Sequence, residues 1–175
     1  VYKRQIAETG FGTGLNLLAV MVEMNRHPEL RLDYISFEGF PLTAEQMEQA
    51  HAPFTAVAAE AAALRAALPP RWPGYHLVQL YSGRLTLHLH YGEIGDMLPS
   101  LDFRVDCWFL DGFAPARNPS MWTAENMSHV GRLTRPGGSF ASFTAAGDVR
   151  RSLEAAGFAV ELVPGFGRKR QMIRG

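Results

Sequence analysis

Cysteine is nearly absent from this 175-residue chain: Cys107 is the only one. A disulfide framework within the chain is therefore excluded, and a zinc site built on cysteines has no ligand set. Charge of one sign is not in excess either. Lys and Arg total 17, and so do Asp and Glu. The chain lacks the overall basic character that holds a protein on nucleic acid by bulk charge, which leaves only a local patch for such a role. No apolar run is long enough to span a bilayer and no signal peptide opens the chain. A soluble, cytoplasmic protein is the expectation. Repeats, low-complexity tracts and linkers are missing too. Val1 stands almost on the first strand-like run, which reads as a chain whose N-terminal part is absent. The 47% hydrophobic content argues against disorder. The length suits one domain, residues 1–175, with a sizeable core.

What is present is an alternation of strand-like and helix-like stretches. A short run ending at Ile6-Ala7 reads as a strand and Leu15 to Val20 as the start of a helix. Leu32 to Phe37 reads as a second strand ending at Glu38. Thr43 and Gln46 have the spacing of a capping box. An alanine-rich helix is expected from Thr55 to Leu68, and a hairpin from Tyr75–Leu80 and Leu85–His90 around Ser82-Gly83. Val105 to Leu110 is nearly all apolar, as expected of a strand covered on both faces. A helix from Met121 to Leu133 and a turn at Pro136-Gly137-Gly138 lead into a strand, Ser139 to Phe143. A helix from Asp148 to near Gly157 and strands at Phe158–Val163 and Lys169–Ile173 complete the pattern. Such alternation predicts an α/β fold, a mostly parallel sheet with helices on both faces. Ligands in such sheets bind at the carboxyl ends of the strands. Four carboxylates fall there: Glu8, Glu38, Glu93 (after Gly92) and Asp111.

The stretch Glu8-Thr9-Gly10-Phe11-Gly12-Thr13-Gly14 carries the most information. Gly10, Gly12 and Gly14 allow a tight turn and close backbone approach to a ligand, and the amides of the following helix face that ligand. The dinucleotide pattern G-x-G-x-x-G is not met, because the third glycine comes one residue early and Leu15 occupies its slot. Glu8 would repel phosphate but can accept from an ammonium or hydroxyl. S-adenosylmethionine has an amino-acid end and no phosphate, so the loop points to a methyltransferase. Glu38 stands where an acid can bind both ribose hydroxyls, and Glu93 where one can accept from an adenine amine. Asp111 ends the strand nearest the reacting methyl, beside a loop in which Pro115 and Pro119 frame Asn118.

Several of these stretches form a distinctive set. They are Glu8 to Asn16, Ser36-Phe37-Glu38 with Phe40-Pro41-Leu42, and Trp108 to Pro115 with Asn118-Pro119 and Met121-Trp122. Phe143 to Gly147, Val149-Arg150-Arg151 and Gly165 to Arg170 belong with them. Over nearly the whole chain the set resembles the methyltransferase domain of the bifunctional enzyme that makes 5-methylaminomethyl-2-thiouridine in tRNA. The resemblance implies a class I S-adenosylmethionine-dependent methyltransferase (Rossmann-like) fold. It implies N-methylation of the aminomethyl group on the wobble uridine of tRNA, with tRNA as partner. It also implies an FAD-dependent domain in the full-length enzyme, for which these 175 residues leave no room. Cofactor binding is carried onto Glu8, Gly10, Gly12, Gly14, Asn16, Glu38, Gly92, Glu93 and Asp111, and catalysis onto Asp111. Substrate contacts fall on Phe113, Asn118, Trp122, Arg168, Lys169 and Arg170. Glu93 replaces a usual aspartate, Gly39 a usual lysine, Ser120 a usual aspartate and Gln171 a usual glutamate.

Other readings stay open. Asp111 can be a cap of its loop, Phe113 a core residue, and the run Arg168-Lys169-Arg170 with Arg150 and Arg151 a solvated surface rather than a phosphate contact. His88 and His90 share a strand face without a third metal ligand in sight, and Cys107 reads as a small core residue. A nicotinamide-dependent oxidoreductase and a cofactor-binding module without activity are the alternatives to the enzyme.

Overall fold

The computed structural model describes residues 3–167 and 169–175. In chain order the strands and α-helices are β1 (Arg4–Glu8), α1 (Leu15–Arg26), β2 (Leu32–Glu38), α2 (Ala44–His51), α3 (Ala58–Ala67), β3 (Gly74–Leu80), β4 (Leu85–Tyr91), α4 (Ile94–Met97), β5 (Val105–Leu110), α5 (Ala124–Arg132), β6 (Thr134–Ser142), α6 (Gly147–Ala155), β7 (Glu161–Pro164) and β8 (Gln171–Arg174). The eight strands form one sheet in the order β3-β4-β2-β1-β5-β6-β8-β7. The inner pairings β4/β2, β2/β1, β1/β5 and β5/β6 are parallel, and the outer ones are antiparallel.

Side-chain alternation along the strands divides the core in two. On one face Tyr34, Leu87 and Leu89 pack with Leu17, Leu18 and Met21 of α1, Met47 of α2 and Leu64 of α3. On the other, Ala7, Ile35, Trp108 and Phe140 pack with Ile94 of α4, Met127 and Val130 of α5 and Val149 and Leu153 of α6. The helices thus cover both faces, as a parallel sheet requires. Among the described residues no helix is long and apolar enough to cross a membrane.

The capping box at α2 is present, with Thr43 Oγ1 accepting from Gln46 N and Gln46 Oε1 from Thr43 N. Several expected elements differ, among them the strand expected from Phe158, which begins only at Glu161. The helix expected from Met121 is broken: Pro119–Trp122 is a 3₁₀ turn, Thr123 is extended, and its hydroxyl caps α5 by accepting from Asn126 N at 3.2 Å. The alanine-rich helix opens with a 3₁₀ turn, Thr55–Val57, so its α-helical part begins only at Ala58. Finally, Pro136-Gly137-Gly138 does not precede β6 but interrupts it. Val105 pairs with Thr134 and Cys107 with Ser139, so the residues between bulge out of the ladder.

The parallel core places the ends of β1, β2, β4 and β5 on one side of the sheet. The sheet order brings β1 between β2 and β5, and the loops after these three strands meet above it.

Candidate active site

A cavity of ≈ 270 Å³ opens at these strand ends, near the lower end of the range for small-molecule sites. Its walls come from the loop after β1 (Gly10 and Gly12), the end of β2 (Glu38), the turn after β4 (Gly92 and Glu93) and the loop after β5 (Asp111, Phe113 and Asn118), with Asn16 from α1. These are distant in sequence and brought together by topology.

The glycine loop is tied down at both sides. Thr9 N donates to Phe109 O at 3.2 Å, Phe11 N to Phe37 O at 2.8 Å, and Thr9 Oγ1 to Asp111 O at 2.7 Å. This closeness favours glycine at position 10: a Cβ there would stand 3.0 Å from Asp111 O and 3.2 Å from Gly112 Cα, so backbone would have to give way. Gly14 caps α1 in a left-handed conformation, φ 73°. A Cβ at Gly14 would meet Leu64 and Phe11 at 3.0 and 3.1 Å. Gly14 therefore shapes the loop from behind and does not line the cavity.

Glu38 accepts from Gly12 N at 2.6 Å on Oε2 and from Phe40 N at 2.7 Å on Oε1. Each carboxylate oxygen has a second acceptor site, so a vicinal diol can still bind both. Glu93 stands beside Gly39: a Cβ on Gly39 would lie 3.2 Å from Glu93 Oε1. The two departures from the family pattern on this rim are thus neighbours, and the longer acid borders the space that a side chain at position 39 would enter. Asp111 Oδ1 accepts from Gly112 N at 2.8 Å and Oδ2 from Asn16 Nδ2 at 3.1 Å.

Glu8 is not on the rim. It is fully buried below the cavity, where Ser36 Oγ donates to Oε1 at 2.7 Å and Asn16 Nδ2 to Oε2 at 3.2 Å. Burial pushes its carboxyl up to about 8, opposed by the bonds from Ser36 and Asn16. Tyr34, buried beside it, is pushed well above its ordinary range by burial and by Glu8. The expectation that Glu8 meets a ligand directly gives way to one in which Asn16 intervenes. Sequence shows that an acid ends the strand but not which way it turns.

The remaining expected residues divide. Phe113, 61% exposed, lines the cavity, as does Asn118, whose Oδ1 accepts from Ser120 Oγ. Trp122 does not line it. This buried indole donates from Nε1 to Phe113 O at 2.8 Å and so holds the wall in place, while its neighbour Met121 reaches the cavity. Lys169 lies over the Phe143 ring, 4.7 Å from its centre, and Arg170 is exposed; neither lines the cavity. Arg168 lies outside the described residues. Arg151 pairs with Asp148 and Arg150 with Glu154. His88 bonds Tyr75 and Asp33, and His90 stacks on Phe37. Thr9, Leu15, Phe40 and Ile94 also line the cavity. The first three lie in motif stretches but were given no contact of their own, and Ile94 carries no charge or motif glycine by which sequence could have marked it.

Residues 55–175 match a family model described as S-adenosyl-L-methionine-dependent methyltransferase. Among solved structures the chain is similar to MNMC2 from Aquifex aeolicus, at 28% identity and TM-score 0.70 over 98% of this chain and 52% of that one. It spans about half the length of that relative. TrmN from Thermus thermophilus (13% identity, TM-score 0.54, 98% of this chain and 43% of that one) shares the fold. So does the glycopeptide N-methyltransferase MtfA, solved with S-adenosylmethionine (14%, 0.53, 99% and 86%).

Proposed function

The chain belongs to the S-adenosyl-L-methionine-dependent methyltransferases, and from this we propose that it methylates the primary amine of an aminomethyl group on the wobble uridine of tRNA. The motif resemblance over nearly the whole chain and the likeness to MNMC2 support that substrate. One observation carries the chemistry: a carboxylate, Asp111, stands in the cavity wall between the glycine loop and the exposed ring of Phe113, oriented by Gly112 N and Asn16.

The residues fit the cofactor. Glu38 keeps acceptor sites for the ribose hydroxyls, Glu93 offers an acceptor for the adenine amine, and the loop at Gly10 and Gly12 leaves room for close approach. When bound, the cofactor supplies a methyl group on a sulfonium, so the leaving group departs as a neutral sulfide with the electrons of the broken C–S bond and needs no acid. Asp111 has two tasks. It accepts hydrogen bonds from the amine and so aims the nitrogen lone pair at the methyl, where positioning accounts for much of the rate. It then takes the proton that the new N–C bond makes acidic, directly or through water. Phe113 presents an aromatic face for stacking on the uracil ring, and Trp122 fixes the carbonyl of Phe113. Asn118 borders the same entrance. Lys169 and Arg170, outside the cavity, take phosphate contacts in this reading, which for them and for Arg168 rests on the resemblance. An FAD-dependent domain of a longer protein is the expected source of the amine, and the cytoplasm the place where tRNA is met.

The test uses two tRNAs that differ only at the wobble position. The one with aminomethyl-uridine should gain a methyl group, seen by mass spectrometry of its nucleosides, and the one with unmodified uridine should not. Equal methylation of both contradicts the proposal.

A further inference from the structure

The Asn16 side-chain amide stands between two carboxyl groups. Nδ2 donates to Glu8 Oε2 at 3.2 Å and to Asp111 Oδ2 at 3.1 Å. Both of its N–H bonds are thereby used, and Oδ1, which lies across Cγ in the same amide plane and can only accept, bonds neither carboxylate. Asn16 lines the cavity. Its rotation is therefore set from below by Glu8, which is fully buried and held by Ser36 Oγ at 2.7 Å.

We propose that Glu8 is a positioning residue that acts through Asn16, locking the amide so that one N–H fixes Asp111 Oδ2 while Oδ1 faces the cavity as an acceptor for the ammonium of the bound amino-acid moiety or for the substrate amine. This rests on the reading of Asp111 as the group that holds the amine. It places an acid of the glycine loop in the service of the reacting amine, two bonds away, rather than against the ligand. The proton state supports the arrangement. Two ionised carboxylates about one amide repel each other, whereas a protonated Glu8 leaves the negative charge on Asp111 alone. Burial favours that state, with Glu8 ionising only near pH 8. The charged or titratable groups facing Glu8 are Tyr34 from β2 and Asp111 from the end of β5.

Two readings of the intact chain test this. The first is the Asn16 side-chain amide signal in nitrogen NMR. In the parent it should shift as pH passes through about 8, and in Glu8→Gln that shift should vanish. A shift that persists in Glu8→Gln overturns the proposal. The second is a double-mutant cycle on single-turnover methylation. Glu8→Leu fills similar space without an acceptor and should slow turnover by about 10- to 100-fold, the upper figure being that of a reacting group misplaced by about 1 Å. Asn16→Ala should slow it as much, and the double variant should be no slower than Asn16→Ala. Glu8→Gln, which keeps an acceptor, should recover most of the rate lost in Glu8→Leu. Losses that multiply in the double variant overturn the proposal. Asp111→Asn separates the two levels. Near-parental turnover in Asp111→Asn refutes the role of Asp111, while the NMR titration still reports whether Glu8 governs Asn16.

Discussion

Gly12 N lies 2.6 Å from Glu38 Oε2, so the acid proposed to bind the ribose and the glycine loop are joined directly. Through this bond Glu38 braces the loop after β1 from the end of β2. Removing the acid takes away both the expected hydroxyl contacts and the brace. Glu38→Ala should weaken S-adenosylmethionine binding by about 1.5–3 kcal/mol, the range for charge-assisted bonds. Calorimetric titration checks this. Binding as tight as the parent's would remove Glu38 from the site.

Gly10→Ala should close the loop onto β5. Its Cβ meets backbone, Asp111 O at 3.0 Å and Gly112 Cα at 3.2 Å, so no side-chain rotation relieves the contact. Overpacking of this kind costs about 1–3 kcal/mol. Denaturant unfolding should show that loss together with weaker cofactor binding. An unchanged midpoint and affinity would show that the loop has slack the geometry does not suggest.

Glu8 gives the fold a pH dependence of defined sign. Its carboxyl is raised from 4.5 to about 8, so between those values the folded chain holds a proton that the unfolded chain has released. Stability should be fullest at the acid end of this window and fall as pH rises through it, by up to about 1.4 kcal/mol per unit. Above about pH 8 the loss levels off. Unfolding at several pH values compares parent with Glu8→Gln, and only the difference between them belongs to Glu8. The same slope in both chains contradicts the assignment.

Trp122→Phe keeps an aromatic but smaller ring and deletes the bond to Phe113 O, worth about 1 kcal/mol beyond the lost packing. The expected result is a severalfold higher KM for tRNA with unchanged cofactor affinity, measured by steady-state methylation and titration. A parental KM would show that Phe113 needs no such support.

What was legible in the sequence follows the range of the interactions concerned. The Thr43 capping box is local and can be read from two residues. Glu38 and Asp111 could be placed because a parallel sheet directs every strand end to one rim. Glu8 obeyed the same rule and yet turned inward, because Ser36 and Asn16 hold its carboxyl below the cavity, and neither partner is fixed by strand period. Trp122 was expected to meet the substrate, but it is buried behind the wall and does not line the cavity. Only the bond to Phe113 O shows that it supports the wall from outside. The bulge in β6 depends on pairing with β5, which Pro136-Gly137-Gly138 announces only as a turn.

The central claim divides the cavity, with cofactor held on the Glu38 and Glu93 side and the amine handled by Asp111. The most direct test is the single-turnover methylation rate of Asp111→Asn on tRNA with aminomethyl wobble uridine, with cofactor affinity measured on the same variant. Asparagine keeps the shape and can still accept from Gly112 N or Asn16, but it has little basicity. The account predicts turnover reduced roughly 100-fold or more and affinity changed far less. Turnover close to the parent's would contradict it.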